Sequence, residues 1–284
     1  MLHLKDNAAR YIIVNGDLID TSSDEKAVVS LPYEGTVIYE VIRYIGGKGL
    51  FAEDHYKRLT DSADMEHFGK ILSLSAYEEY AQVLLSVNAK TDCNIKLLCI
   101  RGGGERDTDS AADFVMYLSR TFYPEKSVYQ KGVDTALLHL ERPDPNAKVS
   151  REAYMNTVAA FRTERNVFEA ILVNSAGFLT EGSRSNFFYL RKDEPGVLFT
   201  APSELILEGV MRKYTIRLCE LAGIPVRYDM IRQDGLEHVA GAFLTGTSIK
   251  VLPIATIDHF VYNSSGNPTI IRLMREFDAF INKA

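Results

Sequence analysis

The stretch TEGSRSNFF, residues 180–188, decides how the rest of the chain is interpreted. Glu181 stands at the end of an apolar stretch and is followed by a glycine and two serines. A carboxylate this deep in a strand is costly to bury unless a cation or a proton donor lies beside it. The alternative, which composition alone favours, is an exposed hairpin with Glu181 in solvent.

Two segments farther along have the pattern of anion-binding sites. FLTGTS (243–248) runs from an apolar strand into a glycine among hydroxyls, where backbone N–H groups and Oγ atoms can converge on an anion. LILEGVMR (205–212) enters a predicted helix at about Glu208–Gly209, and the N-terminus of a helix favours negative charge. Taken singly, an ordinary turn and an ordinary helix start are the commoner explanations.

Upstream, Lys148 lies in a polar loop, PDPNAKVS (143–150), that precedes a predicted helix over 151–165. A lysine in such a loop is usually a solvated surface residue, and its immediate neighbours form no motif. It is, however, the only lysine between residues 132 and 181. Its interpretation therefore depends on the segments downstream.

Strand and helix patterns alternate in both halves, so we predict an α/β (α+β) chain of two domains. The 284 residues are too many for one ordinary core and suit two domains. We expect a small N-terminal domain over 1–122, a linker over 123–130 and a larger domain over 131–284. In the first domain we predict a hairpin with an Asn15-Gly16 turn, strands on either side of Gly46-Gly47, and helices over 53–69 and 75–88. In the second we predict helices over 151–165, 208–223 and 267–283, and one strand over FLTEGSRSNFFYLR (178–191).

Composition argues against several classes of protein. The hydrophobic and charged fractions, 46% and 25%, are typical of globular domains, and a net charge of −6 disfavours a nucleic-acid or anionic-membrane surface. The three cysteines include no CxxC pair, and the six histidines lack metal-ligand spacing, so we expect neither a disulfide framework nor a metal site. MLHLKDNAAR (1–10) lacks the apolar core of a signal peptide, and no run of about 18 apolar residues occurs. We therefore expect a cytoplasmic protein without membrane or nucleic-acid partners.

Together and in this order, the segments resemble the fold-type IV, or class IV, pyridoxal-phosphate (PLP) enzymes. This family includes branched-chain aminotransferases, D-amino-acid aminotransferases and aminodeoxychorismate lyases. The N-terminal part of the match is VIYEVIRYIGGKGLFAEDHYKRLTDSA (37–63), which is similar to the family's aromatic-Glu strand followed by a His-x-x-Arg-Leu helix. The C-terminal parts are LTEGSRSNFFYL, LILEGVMR and FLTGTSIKVLPI. The resemblance covers nearly the whole chain and implies a small α/β sandwich domain and a larger domain with a pseudo-barrel sheet.

The resemblance also implies PLP as the cofactor and assigns roles to individual residues. The family's Schiff-base lysine precedes the glutamate by a similar spacing, and Lys148 precedes Glu181 by 33 residues (181 − 148). Lys148 would hold PLP as an internal aldimine, and Glu181 would hydrogen-bond the pyridine nitrogen. The other implied cofactor ligands are Arg58, Leu207, Gly209, the backbone N–H groups of Val210 and Met211, Gly246 and Thr247. The substrate side would be formed by Tyr39, Arg43 and Arg101.

The chemistry needs this set of residue types. A phosphate calls for a bidentate cation and several N–H donors. A carboxylate keeps the pyridine nitrogen protonated, so that the ring can act as an electron sink. The lysine must reach the neutral amine form before it can condense with an aldehyde or move a proton. One Lys, one Glu and one Arg are the minimum set, and all three are present.

By this resemblance we predict an aminotransferase that moves an amino group between an amino acid and a 2-oxo acid with ping-pong kinetics, and that forms a homodimer. Where the branched-chain subgroup commonly has Arg-Pro, this chain has Arg101 followed by three glycines, which looks more like the lyase or D-amino-acid subgroups. One alternative is therefore an aminodeoxychorismate-lyase type of elimination that gives pyruvate. Another is a catalytically silent binding relative, against which the presence of Lys148, Glu181 and Arg58 argues.

Overall fold

The computed structural model describes residues 2–22, 28–29, 36–101 and 111–282. The chain divides into two compact units. The first comprises Met1–Thr121 with Ala147–Arg151, and the second comprises Phe122–Asn146 with Glu152–Ala284. This division differs from the boundaries expected from sequence in two ways. The segment that carries Lys148 belongs to the first unit, and most of the expected linker folds as a helix, Lys126–Lys131.

An antiparallel sheet organises the first unit. The strands of this unit are β1 (Leu2–His3), β2 (Tyr11–Val14), β3 (Asp17–Asp20), β4 (Val28–Val29), β5 (Val37–Ile45), β6 (Lys48–Gly49), β7 (Cys93–Ile100) and β8 (Asp113–Ser119). The main sheet has the order β3-β2-β8-β7-β5-β6, while β1 pairs with β4. The β2–β3 turn is the predicted one: Asn15 and Gly16 have φ values of 50° and 96°, which this residue pair tolerates well.

Two helices, α1 (Ala52–Met65) and α2 (Leu74–Val87), cover one face of this sheet. The predicted first helix, which extended to Gly69, is too long. His67 has φ 55°, and the Phe68 N–H donates to the carbonyl of Ala63, as in a Schellman motif that ends a helix. Phe68 is buried, so the chain turns away from the helix axis in order to place this ring in the core.

The second unit is built on a curled sheet. Its strands are β9 (Val133–His139), β10 (Glu169–Val173), β11 (Leu179–Gly182), β12 (Asn186–Arg191), β13 (Leu198–Thr200), β14 (Val226–Tyr228), β15 (Val239–Gly246), β16 (Lys250–Ile257) and β17 (Phe260–Val261). The order is β11-β10-β9-β16-β15-β12-β13-β14, with β17 on β16. Only three residues separate β11 from β12, although four strands lie between them in this order. The sheet must therefore curl until these two strands meet.

The same turn corrects the prediction of a single strand over 178–191. Gly182 and Ser185 form an isolated bridge, and the chain reverses between them. A Cβ added to Gly182 would lie only 2.2 Å from the Oγ of Ser185, so a larger residue at this position would force the serine hydroxyl to move. The reversal places Glu181 near the end of β11 and Asn186 at the start of β12.

The helices of the second unit, within the described residues, are α3 (Lys126–Lys131), α4 (Glu152–Arg165), α5 (Val210–Ala222) and α6 (Pro268–Ile281). Gly223 ends α5 with φ 66°, as its position after the apolar pattern predicted. Asn267 caps α6 by accepting from the N–H groups of Thr269 and Ile270. None of the helices in the described residues is long and apolar enough to cross a membrane.

Candidate active site

Lys148 lies beside β5 and is held there by its backbone. Its carbonyl accepts from the N–H of Tyr39 at 3.1 Å, and the N–H of Ser150 donates to the carbonyl of Val37 at 2.7 Å. The lysine side chain is half-buried, and its Nζ lies 4.6 Å from the centre of the Tyr39 ring, within the range of a cation–π contact. Lys148 is therefore not the solvated loop lysine that its neighbouring sequence suggests.

One serine connects Lys148 to helix α1. The buried Oγ of Ser62 accepts from the N–H of Lys148 at 3.1 Å and donates to the carbonyl of Arg58 at 2.8 Å. Lys148 and Arg58 are distant in sequence, yet they belong to one hydrogen-bonded group. The sequence gives Ser62 no distinguishing feature, because a serine inside a helix is common on any exposed face.

Arg58 is held in place by a buried carboxylate. Its Nε and Nη2 donate to the two oxygens of Glu40 at 2.6 and 2.8 Å, and Nδ1 of His55 lies 2.8 Å from Oε2 of the same carboxylate. Glu40 is 1% exposed and His55 is buried completely. The alternation of β5 turns Glu40 toward α1, while Tyr39 points to the opposite face. The sequence alone predicts no role for Glu40.

The charges of this group follow from burial and hydrogen bonding. Burial raises the pKa of Glu40, but the Arg58 guanidinium and the His55 hydrogen bond outweigh it, so the pKa lies below its ordinary value. Burial lowers the pKa of His55 more than Glu40 raises it. Glu40 is thus ionised and His55 is neutral, with its proton on Nδ1. The Nε2 atom of His55 is buried and finds no hydrogen-bond partner within the described chain.

The three predicted substrate-side residues lie in different places. Tyr39 lies at Lys148, whereas Arg43 shares its face of β5 but stands four residues away, about 13 Å along the strand. The guanidinium of Arg101 donates to the carbonyls of Glu66 and His67, at 2.5 and 3.0 Å, and so binds the end of α1. The three glycines after Arg101 lie outside the described residues.

Lys96, which no sequence pattern singled out, also lies near Tyr39. Its Nζ is 5.4 Å from the centre of the Tyr39 ring and 2.9 Å from Oδ2 of Asp6. The hydroxyl of Tyr117 donates to the other oxygen of Asp6 at 2.7 Å. Two lysines therefore lie near the Tyr39 ring, and the alternation of β7 is the signal that could have placed Lys96 on this face of the sheet.

In the second unit, Asn186 joins the three motifs that the sequence singled out. Its Nδ2 donates to the carbonyl of Leu207 at 2.8 Å. A Cβ on Gly209 would lie 2.0 Å from its Oδ1, so only glycine allows this close approach. Its partner across the strand pair is Thr245, directly before Gly246. An asparagine directly before the apolar run FFYL (187–190) is the sequence signal for this role.

Glu181 is 2% exposed, and the exposed-hairpin alternative is wrong. Nε of Arg142 donates to its Oε1 at 2.7 Å, which supplies the cation that its burial requires. Arg142 lies in the loop before Lys148, and no sequence pattern indicated it.

The remaining predicted cofactor ligands of the second unit lie at the start of helix α5, which no side chain caps, and at the hairpin turn after β15. Val210 and Met211 begin α5 and are buried, and the N-cap residue, Gly209, has no side chain to accept from their N–H groups. Gly246 begins the turn between β15 and β16, and Thr247 follows it. The buried Oγ1 of Thr245, beside this turn, finds no hydrogen-bond partner in the described part of the chain. Among the described residues, no three His, Cys, Asp or Glu side chains group as metal ligands.

The chain belongs to the class IV aminotransferases, a family of enzymes, since the family model matches residues 37–257. It is 28% identical over 257 residues to a D-alanine aminotransferase of Bacillus licheniformis, which covers 87% of this chain and 88% of the relative. It is 26% identical over 268 residues to the branched-chain-amino-acid aminotransferase of Escherichia coli (strain K12), covering 88% and 85%.

Solved structures show the same fold. The branched-chain aminotransferase from Escherichia coli has a TM-score of 0.81 at 23% identity, over 96% of this chain and 94% of that one. The T.th. branched-chain aminotransferase with pyridoxamine 5'-phosphate has a TM-score of 0.82 at 23% identity, over 98% and 95%. These likenesses confirm the predicted fold class, a mixed α/β fold of fold-type IV with a curled sheet. The match to the family model confirms the predicted family.

Proposed function

We propose that this chain is a PLP-dependent aminotransferase in which Lys148 holds the cofactor covalently and an amino group passes between an amino acid and a 2-oxo acid. The hydrogen-bonded group of Lys148, Ser62 and Arg58 carries the proposal, because Ser62 joins the backbone of the lysine to the backbone of an arginine whose guanidinium can bind a phosphate. The named relatives support it, since they are D-alanine and branched-chain aminotransferases.

The residues present fit PLP. Buried polar atoms without partners are rare in native proteins and indicate a ligand or water beside them. Nε2 of His55, in the first unit, and Oγ1 of Thr245, in the second, are two such atoms. Each belongs to a residue beside a predicted phosphate ligand: Nδ1 of His55 lies 3.5 Å from Nη2 of Arg58, and Thr245 directly precedes Gly246. The uncapped start of α5 adds backbone N–H donors of the kind that bind phosphates.

Each group has a definite task in this proposal. PLP, when bound, supplies an electron sink for the charge that develops at Cα of the amino acid. Lys148 attaches the cofactor and then, released by the substrate amine, moves the proton at Cα. Arg58, the N–H groups of Val210 and Met211, Gly246 and Thr247 bind the phosphate. Glu181 accepts from the ring nitrogen, and Leu207 packs on one face of the ring. Tyr39 forms part of the substrate side, with Arg43 and Arg101 as further candidates.

Borohydride labelling tests the attachment. The purified protein is incubated with PLP, reduced with borohydride and digested, and the peptide that carries the cofactor is identified by mass spectrometry. We expect the label on Lys148 and its loss in Lys148→Ala. Lys57→Ala is the matched control, because Lys57 is a solvent-exposed lysine of α1 that pairs with Asp61 across one helical turn. A label on another lysine, or no cofactor absorbance at all, would refute the proposal.

A single-substrate incubation separates transamination from elimination. With one amino acid and no acceptor, we expect pyridoxamine phosphate in an amount equal to the enzyme and no further turnover. Catalytic release of pyruvate without an acceptor would instead indicate a lyase, and an unreacted cofactor would indicate a silent binding protein. A panel of L- and D-amino acids, followed by the change in cofactor absorbance, then identifies the donor.

Two further properties belong to the proposal. We expect a homodimer, as the family resemblance implies, and sedimentation equilibrium checks it directly. We also expect a reducing, cytoplasmic location, because Cys93, Cys99 and Cys219 are all unpaired thiols. Cell fractionation with an antibody against the chain checks the location.

A further inference from the structure

Arg142 binds two parts of the turn that carries Glu181. Its Nε donates to Oε1 of Glu181 at 2.7 Å, and its Nη2 donates to the carbonyl of Ser183 at 2.9 Å. Tyr154 completes the arrangement: its hydroxyl donates to the same carbonyl at 2.9 Å, and its ring centre lies 5.1 Å from Cζ of Arg142. We call these four residues the Arg142 cluster.

The cluster is enclosed enough for its geometry to be fixed. The Arg142 side chain is 13% exposed and that of Glu181 is 2% exposed, so neither charge is well solvated. The planar guanidinium fork lets one side chain bind a carboxylate and a carbonyl at once. A lysine is a point charge without this fork, and a glutamine has no charge. The aromatic face of Tyr154 limits how far the guanidinium can move.

We propose that Arg142 is a positioning residue of the PLP site, which holds the Glu181 carboxylate ionised and oriented for the ring nitrogen of the cofactor. This inference rests on the proposed function. Without the cation, a carboxylate buried as deeply as Glu181 favours its neutral form, and a neutral acid cannot stabilise a protonated ring nitrogen. Arg142 then acts on the cofactor only through Glu181, without touching it.

A double-mutant cycle on PLP binding tests this route. Apo forms of the wild type, Arg142→Gln, Glu181→Gln and the double variant are titrated with PLP, and the dissociation constants are compared. Removal of a residue that orients a direct ligand, as Arg142 orients Glu181, typically weakens binding by about 10-fold or more. We therefore expect Arg142→Gln in the wild-type background to raise the dissociation constant for PLP by about 10-fold. In the Glu181→Gln background we expect the same substitution to change the constant less than about 2-fold, since the residue through which it acts is absent.

Two more variants are needed, one as a control and one for the case that a variant does not fold. Arg165→Gln is the matched control, because Arg165 forms an exposed ion pair with Asp258 in the same unit, and we expect no change in PLP binding. If thermal unfolding shows that apo Arg142→Gln or apo Glu181→Gln is not folded, Arg142→Lys carries the test. It keeps the charge but loses the fork, so we expect a loss of PLP affinity smaller than about 10-fold. We also expect the 15N shift of labelled PLP to move toward that of the unprotonated ring nitrogen.

The outcomes separate this inference from the proposed function. Equal losses for Arg142→Gln in both backgrounds would show a merely structural role and overturn the inference alone. Unchanged affinity in Arg142→Gln, or unchanged affinity and 15N shift in Arg142→Lys, would also overturn it. Failure of the wild type to bind PLP would overturn both the function and the inference.

Discussion

The substitution Glu40→Gln tests whether the group around Arg58 is held by charge. The carboxylate accepts from Nε and Nη2 of Arg58 at 2.6 and 2.8 Å and from Nδ1 of His55 at 2.8 Å. Glutamine has nearly the same shape, but it removes the negative charge and turns an NH2 group toward donors. The Arg58 guanidinium is then left without its counter-ion at a position where it is only 13% exposed.

The size of the effect follows from the burial. Removal of one partner from a buried ion pair costs about 3–5 kcal/mol. We expect the lower end, about 3 kcal/mol, because the guanidinium keeps some contact with solvent while the carboxylate is fully enclosed. The first unit is smaller than about 150 residues, so each kcal/mol lowers the Tm by about 4 °C and the midpoint should fall by about 12 °C.

The assay is thermal unfolding followed by circular dichroism at pH 7, without PLP. Asp61→Asn is the matched control: it is the same acid-to-amide change, on the same unit, at an exposed residue paired with Lys57. We expect no measurable change in its midpoint, because exposed ion pairs contribute little to stability. Equal midpoints for Glu40→Gln and Asp61→Asn would refute the assignment of Glu40 as a buried counter-ion. A second measurement follows from the proposed function: PLP should bind Glu40→Gln more weakly than Asp61→Asn, since Arg58 loses its clamp.

Three other substitutions give separate predictions. Burial lowers the pKa of His55, so as the pH drops below about 6.5 the histidine is protonated in the unfolded chain first, and the wild-type free energy of unfolding falls. His55→Asn should make this fall smaller when the free energy is measured by urea titration at several pH values. Parallel pH dependences of the wild type and the variant would contradict the prediction. Thr245→Val should leave the apo Tm unchanged or raise it while weakening PLP binding, because the buried hydroxyl lacks a partner in the described chain; a lower apo Tm would show that the hydroxyl is satisfied. Gly209→Ala should raise the Kd for PLP by at least about 10-fold, since the new Cβ would meet Asn186 Oδ1 and shift the start of α5. Gly235→Ala, where the nearest atom lies 3.5 Å away, is its control, and equal affinities would contradict the argument.

Local patterns were sufficient for much of the fold. The turn at Asn15-Gly16 and the end of α5 at Gly223 depend on which residues accept a positive φ, and this property is written into the residue type. The boundary of α1 could not be read in this way. That helix stops early because Phe68 packs into the core. The residues against which it packs belong to other segments of the chain, so the local sequence does not show them.

The candidate site also combines features that the sequence shows with features that depend on tertiary contacts. Sequence by itself determined that Lys148, Glu181 and Arg58 stand in segments that resemble one enzyme family, because such a resemblance depends only on residue types and on their order along the chain. Only the tertiary structure decided that Ser62 connects Lys148 to Arg58, that Arg142 partners Glu181, and that Asn186 contacts Leu207 and pairs with Thr245. Each of these contacts joins residues far apart in sequence, and a hydrogen bond between distant segments leaves no periodic pattern in either of them. The geometry of the site is therefore a property of the folded chain, while its chemical inventory is a property of the sequence.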